Sequence, residues 1–378
     1  MTMSHPLIER ERLINLFTRF ATIDGLSLRE RQIADEVSAV LRGAGVRVLE
    51  DSAGTRLNGA AGNLLCFPPG FDANQPTIML TAHLDTVLPT AKLKPAREEV
   101  RITSDGTTIL GADNRVGVSV LTYLLLAVTE KKLPCKNFFV AFTIAEEVGL
   151  LGASTIDLSL YGVQSIFVFD CSRTPGVYIR ECVGLSLFKA RFVGKAAHAG
   201  VAPEEGVNAI ALAGAGIADL QLGRIDQDLT VNIGKISGGE ATNVVPDKVD
   251  IEGEVRSFSP KRIQEQLGLI ERTLSQAVIG RGKLVFETKV DFPPYVHSHD
   301  SPIIRDVERA LRAVGLQPQP IRYTGGSDAN EYNAKGIPAV NLGIGAQKPH
   351  TFEEFVLLED LVKSAEIAFM LLQHSIGT

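Results

Sequence analysis

The sequence predicts a mixed α/β protein: a mostly parallel sheet with helices, interrupted by a smaller inserted ferredoxin-like (βαββαβ) domain. Three observations predict it. Apolar, strand-like runs alternate with helical patterns over the first third of the chain. Around residue 182 the pattern changes to β-α-β-β-α-β. After Ser301 the helix–strand alternation resumes. A chain of 378 residues is too long for one ordinary core and comfortable for two. The predicted division is a larger domain from residues 1–181 and 298–378, with an inserted domain from 182–297.

Taken in order, Ser27-Leu-Arg-Glu30 reads as a capping box opening a helix that ends near Gly43. Strand-like runs follow at 77–82, 107–110, 138–144 and 165–169, and the apolar stretch 116–129 is long enough for a buried helix. Residues 185–193 alternate apolar and polar, as a half-buried strand does. Residues 206–222 are alanine-rich and helical, 229–236 and 248–258 are strands, 261–279 is an amphipathic helix and 283–290 a last strand. Beyond them come a helix at 302–314, a strand near 338–342 and a final helix from about Leu357.

Composition excludes several classes. The net charge of −6 argues against nucleic acid as a partner, and no polybasic run suggests a membrane surface. The longest apolar stretch, 116–128, falls short of the about 20 residues that span a bilayer. MTMSHPLIERER carries charges where a signal peptide needs an apolar core. Four cysteines lie scattered with no CxxC spacing, as expected of a reduced, cytoplasmic protein.

Five segments repeat one pattern, an apolar run and then an acid or histidine: TAHLD (His83, Asp85), GADN (Asp113), AEE (Glu146, Glu147), FDCS (Asp170) and KPH (His350). Ligands of open α/β sheets bind outside the carboxyl ends of the strands. Each segment alone has a plainer explanation: a surface histidine, a turn aspartate, a solvated first helical turn. Together they would make a strongly repulsive site, with almost no basic residue beside them, and cations are the natural compensation. Histidine and carboxylate without thiolate suit zinc, manganese or cobalt. Three ligating carboxylates and a hydroxide carry about −4, which two divalent ions of about +4 neutralise. In His83-Leu84-Asp85 the aspartate two residues on can stand behind the histidine and orient its ring. Consecutive side chains at an extended strand end diverge, so Glu146 and Glu147 should have different jobs.

The segments AHLDTV, GADNRVG, AEEVGLLGA, GKAAHAGVAPEEGVNAI, GGEATNVVPD, EVRSF and KPHTFEE, spread over nearly the whole chain, resemble the dinuclear metallopeptidase family that includes carboxypeptidase G, aminoacylases and peptidase T. The sequence is most similar to the peptidase T-like (tripeptide aminopeptidase) branch. The resemblance implies an enzyme that hydrolyses N-terminal residues from short peptides. It makes 1–181 with 298–378 the catalytic domain and 182–297 a lid and homodimerisation domain. The other activities of the family, N-acyl amino acid deacylase and carboxypeptidase, are the alternative.

Carried over by residue, the resemblance implies two divalent ions, zinc foremost and cobalt or manganese otherwise. His83 and Asp170 would hold one, His350 and Glu147 the other, and Asp113 would bridge them. Asp85 would be the acid behind His83, and Glu146 the general base for a metal-bridging water. A cis Asp113–Asn114 peptide is implied as well. From the lid, His198, Asn243 and Arg256 would bind substrate, with Arg256 gripping a carboxylate. GGSDAN (325–330) reads either as a tight turn or as backbone N–H groups exposed to substrate at a helix start. His5, His297, His299 and His374 match no motif and read as structural.

Overall fold

The computed structural model describes residues 7–373. They divide into two compact units. The larger takes the chain up to Arg180, then Val296–Arg322 and Ser327 onward; the smaller takes Glu181–Tyr295 and Tyr323–Gly326.

In the larger unit a nine-stranded mixed sheet is assembled among the described residues. Its centre is four parallel strands in the spatial order Phe138–Thr143, Thr77–His83, Val163–Cys171 and Ala339–Gly343. Phe138–Thr143 and Thr77–His83 are buried at every residue, as strands covered on both faces are. Leu64–Phe67 and Arg47–Glu50 add antiparallel strands beyond Phe138–Thr143. The helix Ala112–Lys131 is buried almost throughout, so it is apolar on all sides rather than amphipathic. It packs against the helices Arg10–Ala21 and Leu358–Leu372 and against the strand Thr77–His83. Gly117 makes that last approach possible. A Cβ there would overlap the Phe169 carbonyl oxygen and come within 2.8 Å of the Ala82 Cβ.

A second, four-stranded sheet runs Ala346–Gln347, Phe355–Leu357, Arg101–Thr103, Ala96–Arg97. Its first two strands are antiparallel and hold the loop that carries His350.

The smaller unit has a five-stranded antiparallel sheet, ordered Gly223–Asp226, Leu229–Gly238, Lys248–Ser257, Gly184–Val193, Lys283–Phe292. Without its short first strand this is the ferredoxin-like arrangement. The helices Ala209–Ala218 and Pro260–Gln276 cover one face. Phe188, Phe192, Ile251, Val255, Ile270 and Leu274 form its core.

Three local expectations are corrected. Residues 107–110 form no strand; they are bend and coil leading into Gly111. The alanine-rich helix is shorter than predicted, Ala209–Ala218, because Gly206 packs against Ala197 and Val245 ahead of the Asn208 cap. The capping box is absent. The helix Arg31–Gly43 has Glu30 at its N-cap position without a side-chain cap bond. Ser27 Oγ instead donates to Asp85 Oδ2 at 2.7 Å.

Candidate active site

Parallel strands end together, and that edge collects the predicted residues. His83 closes its strand, directly beside Thr143 in register, so the Ala145–Glu147 turn begins next to it. Asp170 is the penultimate residue of Val163–Cys171. Asp113 lies in the first turn of the long helix, after Gly111 at φ 69°, and its peptide bond to Asn114 is cis. His350 has φ 63°, in the left-handed region.

The side chains converge. Asp113 lies between the two histidines: Oδ1 is 3.1 Å from His83 Nε2 and Oδ2 is 3.4 Å from His350 Nε2. Asp170 Oδ1 is 3.2 Å from His83 Nε2, and Glu147 Oε1 is 3.1 Å from His350 Nε2. His83 is buried, whereas the His350 side chain keeps 47% of its surface exposed, so the cluster has a closed end and an open end. Asp85 stands behind His83, its carbonyl oxygen 3.1 Å and its Oδ1 3.4 Å from Nδ1. Its carboxylate also accepts the main-chain N–H of Glu146 at 3.0 Å and of Glu147 at 3.1 Å. Among the described residues the Glu146 carboxylate has no hydrogen-bond partner, while Glu147 meets His350.

The charges are poorly compensated by protein. Burial raises the Glu146 carboxyl well above its ordinary range, and raises Glu147 and Asp170 in the same direction. Burial also works against charge on Asp113, but hydrogen bonds from His350 and His83 prevail and lower its pKa. His350 is lifted to about 10 by Asp113 and Glu147. His83 is lifted despite its burial, by Asp113, Asp170 and Asp85. Arg115, the buried arginine nearby, directs its guanidinium to the main-chain carbonyls of Phe20, Ile23 and Leu84. No lysine or arginine pairs with the five carboxylates among the described residues. His83, Asp113 and Glu147 can each offer a ligand atom, all within 4.8 Å of one another. Imidazole and carboxylate donors clustered without a lysine or arginine among them fit divalent metal.

Several residues outside the predicted set support this edge. Glu354, buried at the base of the His350 loop, accepts the N–H of Gly111 at 2.7 Å and of Asp113 at 3.0 Å. Asn114 and Asn341 direct their amides toward the two oxygens of Asp170, at 3.4 and 3.3 Å. Asp328 accepts from Thr143 Oγ1 at 2.6 Å. Ser327 and Asp328 of the GGSDAN segment are buried, and the Ser327 N–H is taken by Asn330 Oδ1. Gly325 and Gly326, just before them, are partly exposed.

In the smaller unit, His198 forms a backbone bridge with Val244, and the Ala199 N–H donates to the Asn243 carbonyl at 2.9 Å. The two predicted loops are thereby laced together. Arg256 makes a forked pair with Glu254, at 2.9 and 3.2 Å, and donates to the Thr324 carbonyl. His297 is buried against the Ala339 carbonyl. His5 and His374 lie outside the described residues.

Comparison with known proteins decides the family. Residues 181–279 match the peptidase dimerisation domain of M20 enzymes, and residues 96–176 match the M42 glutamyl aminopeptidase family. The aminopeptidase PepT of Bacillus cereus is 34% identical, with 97% of this chain and 98% of that one aligned at a TM-score of 0.86. The chain belongs to the M20 peptidase family, in its peptidase T-like branch. A Staphylococcus aureus tripeptidase superposes on this M20 chain at a TM-score of 0.89, with 32% identity over 97% of this chain and 98% of that one. The Bacillus subtilis protein YqjE is 32% identical over 98% of this chain and 100% of its own length. Peptidase T of Haemophilus influenzae is 26% identical over 72% of this chain and 66% of its own length. The M20 chain is a peptidase, and among its described residues no helix is long and apolar enough to cross a membrane.

Proposed function

We propose that this M20 peptidase is a metal-dependent aminopeptidase releasing N-terminal residues from short peptides. One observation carries the mechanism: adjacent glutamates have opposite surroundings. Glu147 is bound to a histidine that shares Asp113, while the Glu146 carboxylate, half-buried beside the same cluster, has no hydrogen-bond partner among the described residues and is raised in pKa. The similarity to the Bacillus cereus aminopeptidase and the Staphylococcus aureus tripeptidase supports the substrate class.

His83 and Asp170 would hold one divalent ion, His350 and Glu147 a second, with Asp113 shared between them. Zinc is the leading candidate and cobalt or manganese the alternatives. Such ions, when bound, supply Lewis-acid polarisation of a carbonyl and acidify water. Asp85 orients His83 and holds the Glu146–Glu147 main chain. Glu146 takes a proton from the attacking water and returns it to the leaving amine, a role suited to a carboxyl of raised pKa. His198, Asn243 and Arg256 bind substrate. The unit built from Glu181–Tyr295 serves as lid and homodimerisation domain, and its match to a dimerisation domain supports that. Four free cysteines are in keeping with a reduced, cytoplasmic setting.

The test measures release from a free tripeptide, its N-acetylated form and an N-acyl amino acid by zinc-loaded enzyme. Cleavage of the free tripeptide alone is expected; cleavage of only the acylated compounds would mean a deacylase. Glu146→Ala should lose at least about a hundredfold in kcat while retaining metal, as read by elemental analysis.

A further inference from the structure

The Glu146–Glu147 doublet does not lie on an extended strand. The strand ends at Thr143, and Ala145 has φ 51°, a left-handed conformation that a residue with a Cβ keeps only when its surroundings hold it there. Three successive N–H groups in this turn are each taken by a buried carboxylate. Asp85 accepts those of Glu146 and Glu147. Glu30 Oε1 accepts that of Ala145 at 3.0 Å. The same Glu30 oxygen accepts the N–H of Leu28 at 2.7 Å, and Leu28 is also left-handed, at φ 65°. Ser27, one residue earlier, donates to Asp85. The loop 25–30 and the turn 145–147 are therefore joined by two carboxylates that accept main-chain N–H groups.

Glu30 is fully buried, and its other oxygen has no partner. It stands at the start of the helix Arg31–Gly43 without capping it by its side chain. A residue serving only that helix would direct its carboxylate to the free N–H groups of the first turn; this one reaches across to a residue 115 positions away.

We propose that Glu30 is a positioning residue for the Glu146–Glu147 pair: by clamping the left-handed turn at Ala145 it presents Glu147 to His350 and leaves Glu146 free. This rests on the division of labour between the two glutamates given above. The function needed from Glu30 is acceptance of a hydrogen bond at one fixed oxygen, so an amide of the same length should substitute and a shorter acid should not.

The experiment compares wild type with Glu30→Ala, Glu30→Gln and Glu30→Asp. Each chelator-treated protein is titrated with Zn²⁺ by calorimetry, and each zinc-loaded protein is assayed for kcat and KM on a free tripeptide, with melting followed in parallel. Glu30→Ala and Glu30→Asp should weaken one of the zinc equivalents at least tenfold and lower kcat at least tenfold, with KM changed less than threefold. Glu30→Gln should return both to within threefold of wild type. If Glu30→Ala does not fold, Glu30→Asp carries the comparison. A folded variant lacking the Ala145 clamp but with wild-type zinc affinity and kcat, changed only in melting temperature, overturns the proposal. So does a Glu30→Gln variant as defective as Glu30→Asp. Glu146→Ala, run alongside, separates this from the reading beneath it: if that variant is fully active, the assignment of the doublet has failed whatever Glu30 does.

Discussion

Glu146 and Glu147 are consecutive residues of one type, yet their surroundings differ where the chain leaves the left-handed turn at Ala145. Removing Glu147 or His350 would delete a ligand of the proposed metal site. Glu147→Ala and His350→Ala should each lower zinc affinity by at least about tenfold, measured as metal retained after dialysis, whereas Glu146→Ala should retain it. Arg256 presents a different case. Its fork is already filled by the Glu254 carboxylate, so gripping a substrate carboxylate would require exchange of one partner for another. Arg256→Ala should raise KM several-fold for a free tripeptide and little for its C-terminal amide; equal losses on both would remove the carboxylate grip.

At the scale of elements, the long helix Ala112–Lys131 delivers Asp113 because it lies directly against the sheet, and Gly117 sets that distance. Gly117→Ala should destabilise the fold by about 1–3 kcal/mol, since the added methyl meets a main-chain oxygen that cannot rotate away. Denaturant midpoints would measure it. The same helix start depends on Glu354, which reaches back from the His350 loop to the Gly111 and Asp113 N–H groups. Ser27 and Glu30 show how an element can mislead. Their spacing is that of a capping box, and local spacing alone cannot tell a side chain that bonds its own helix from one that bonds a strand end brought alongside.

For the whole molecule, pH and metal should act together. Burial lifts the carboxyls of Glu30 and Asp328 to about 7 and that of Glu354 to about 8. The folded chain then holds protons that the unfolded chain has released above its ordinary 4.5 for glutamate and 3.8 for aspartate, so stability falls as pH rises through these values. His350, raised from 6.5 to about 10, contributes stability below 6.5 that is lost as pH rises toward 10. Both effects have the same sign. Metal-free protein should melt at steadily lower temperature from about pH 6 to about pH 9. Zinc-loaded protein should fall much less, because ions then balance the carboxylates. A flat profile for the metal-free form would mean that these groups do not hold their protons.

The sequence by itself determined the α/β class and the ferredoxin-like insertion, because strand and helix periods are local, and its short apolar runs marked His83, Asp85, Asp113, Glu146, Glu147, Asp170 and His350 as one set; singling out His83, Asp113, Glu147, Asp170 and His350 as candidate ligands came from the family resemblance of its motifs. Tertiary structure alone decided what holds those ligands. Glu30, Asn114, Asn341 and Glu354 act through hydrogen bonds to partners as many as 243 residues away, and a buried carboxylate in a loop has no periodicity to announce it. It also decided why the two glutamates part: not the alternation of an extended strand, but a left-handed turn held by carboxylates from elsewhere in the chain.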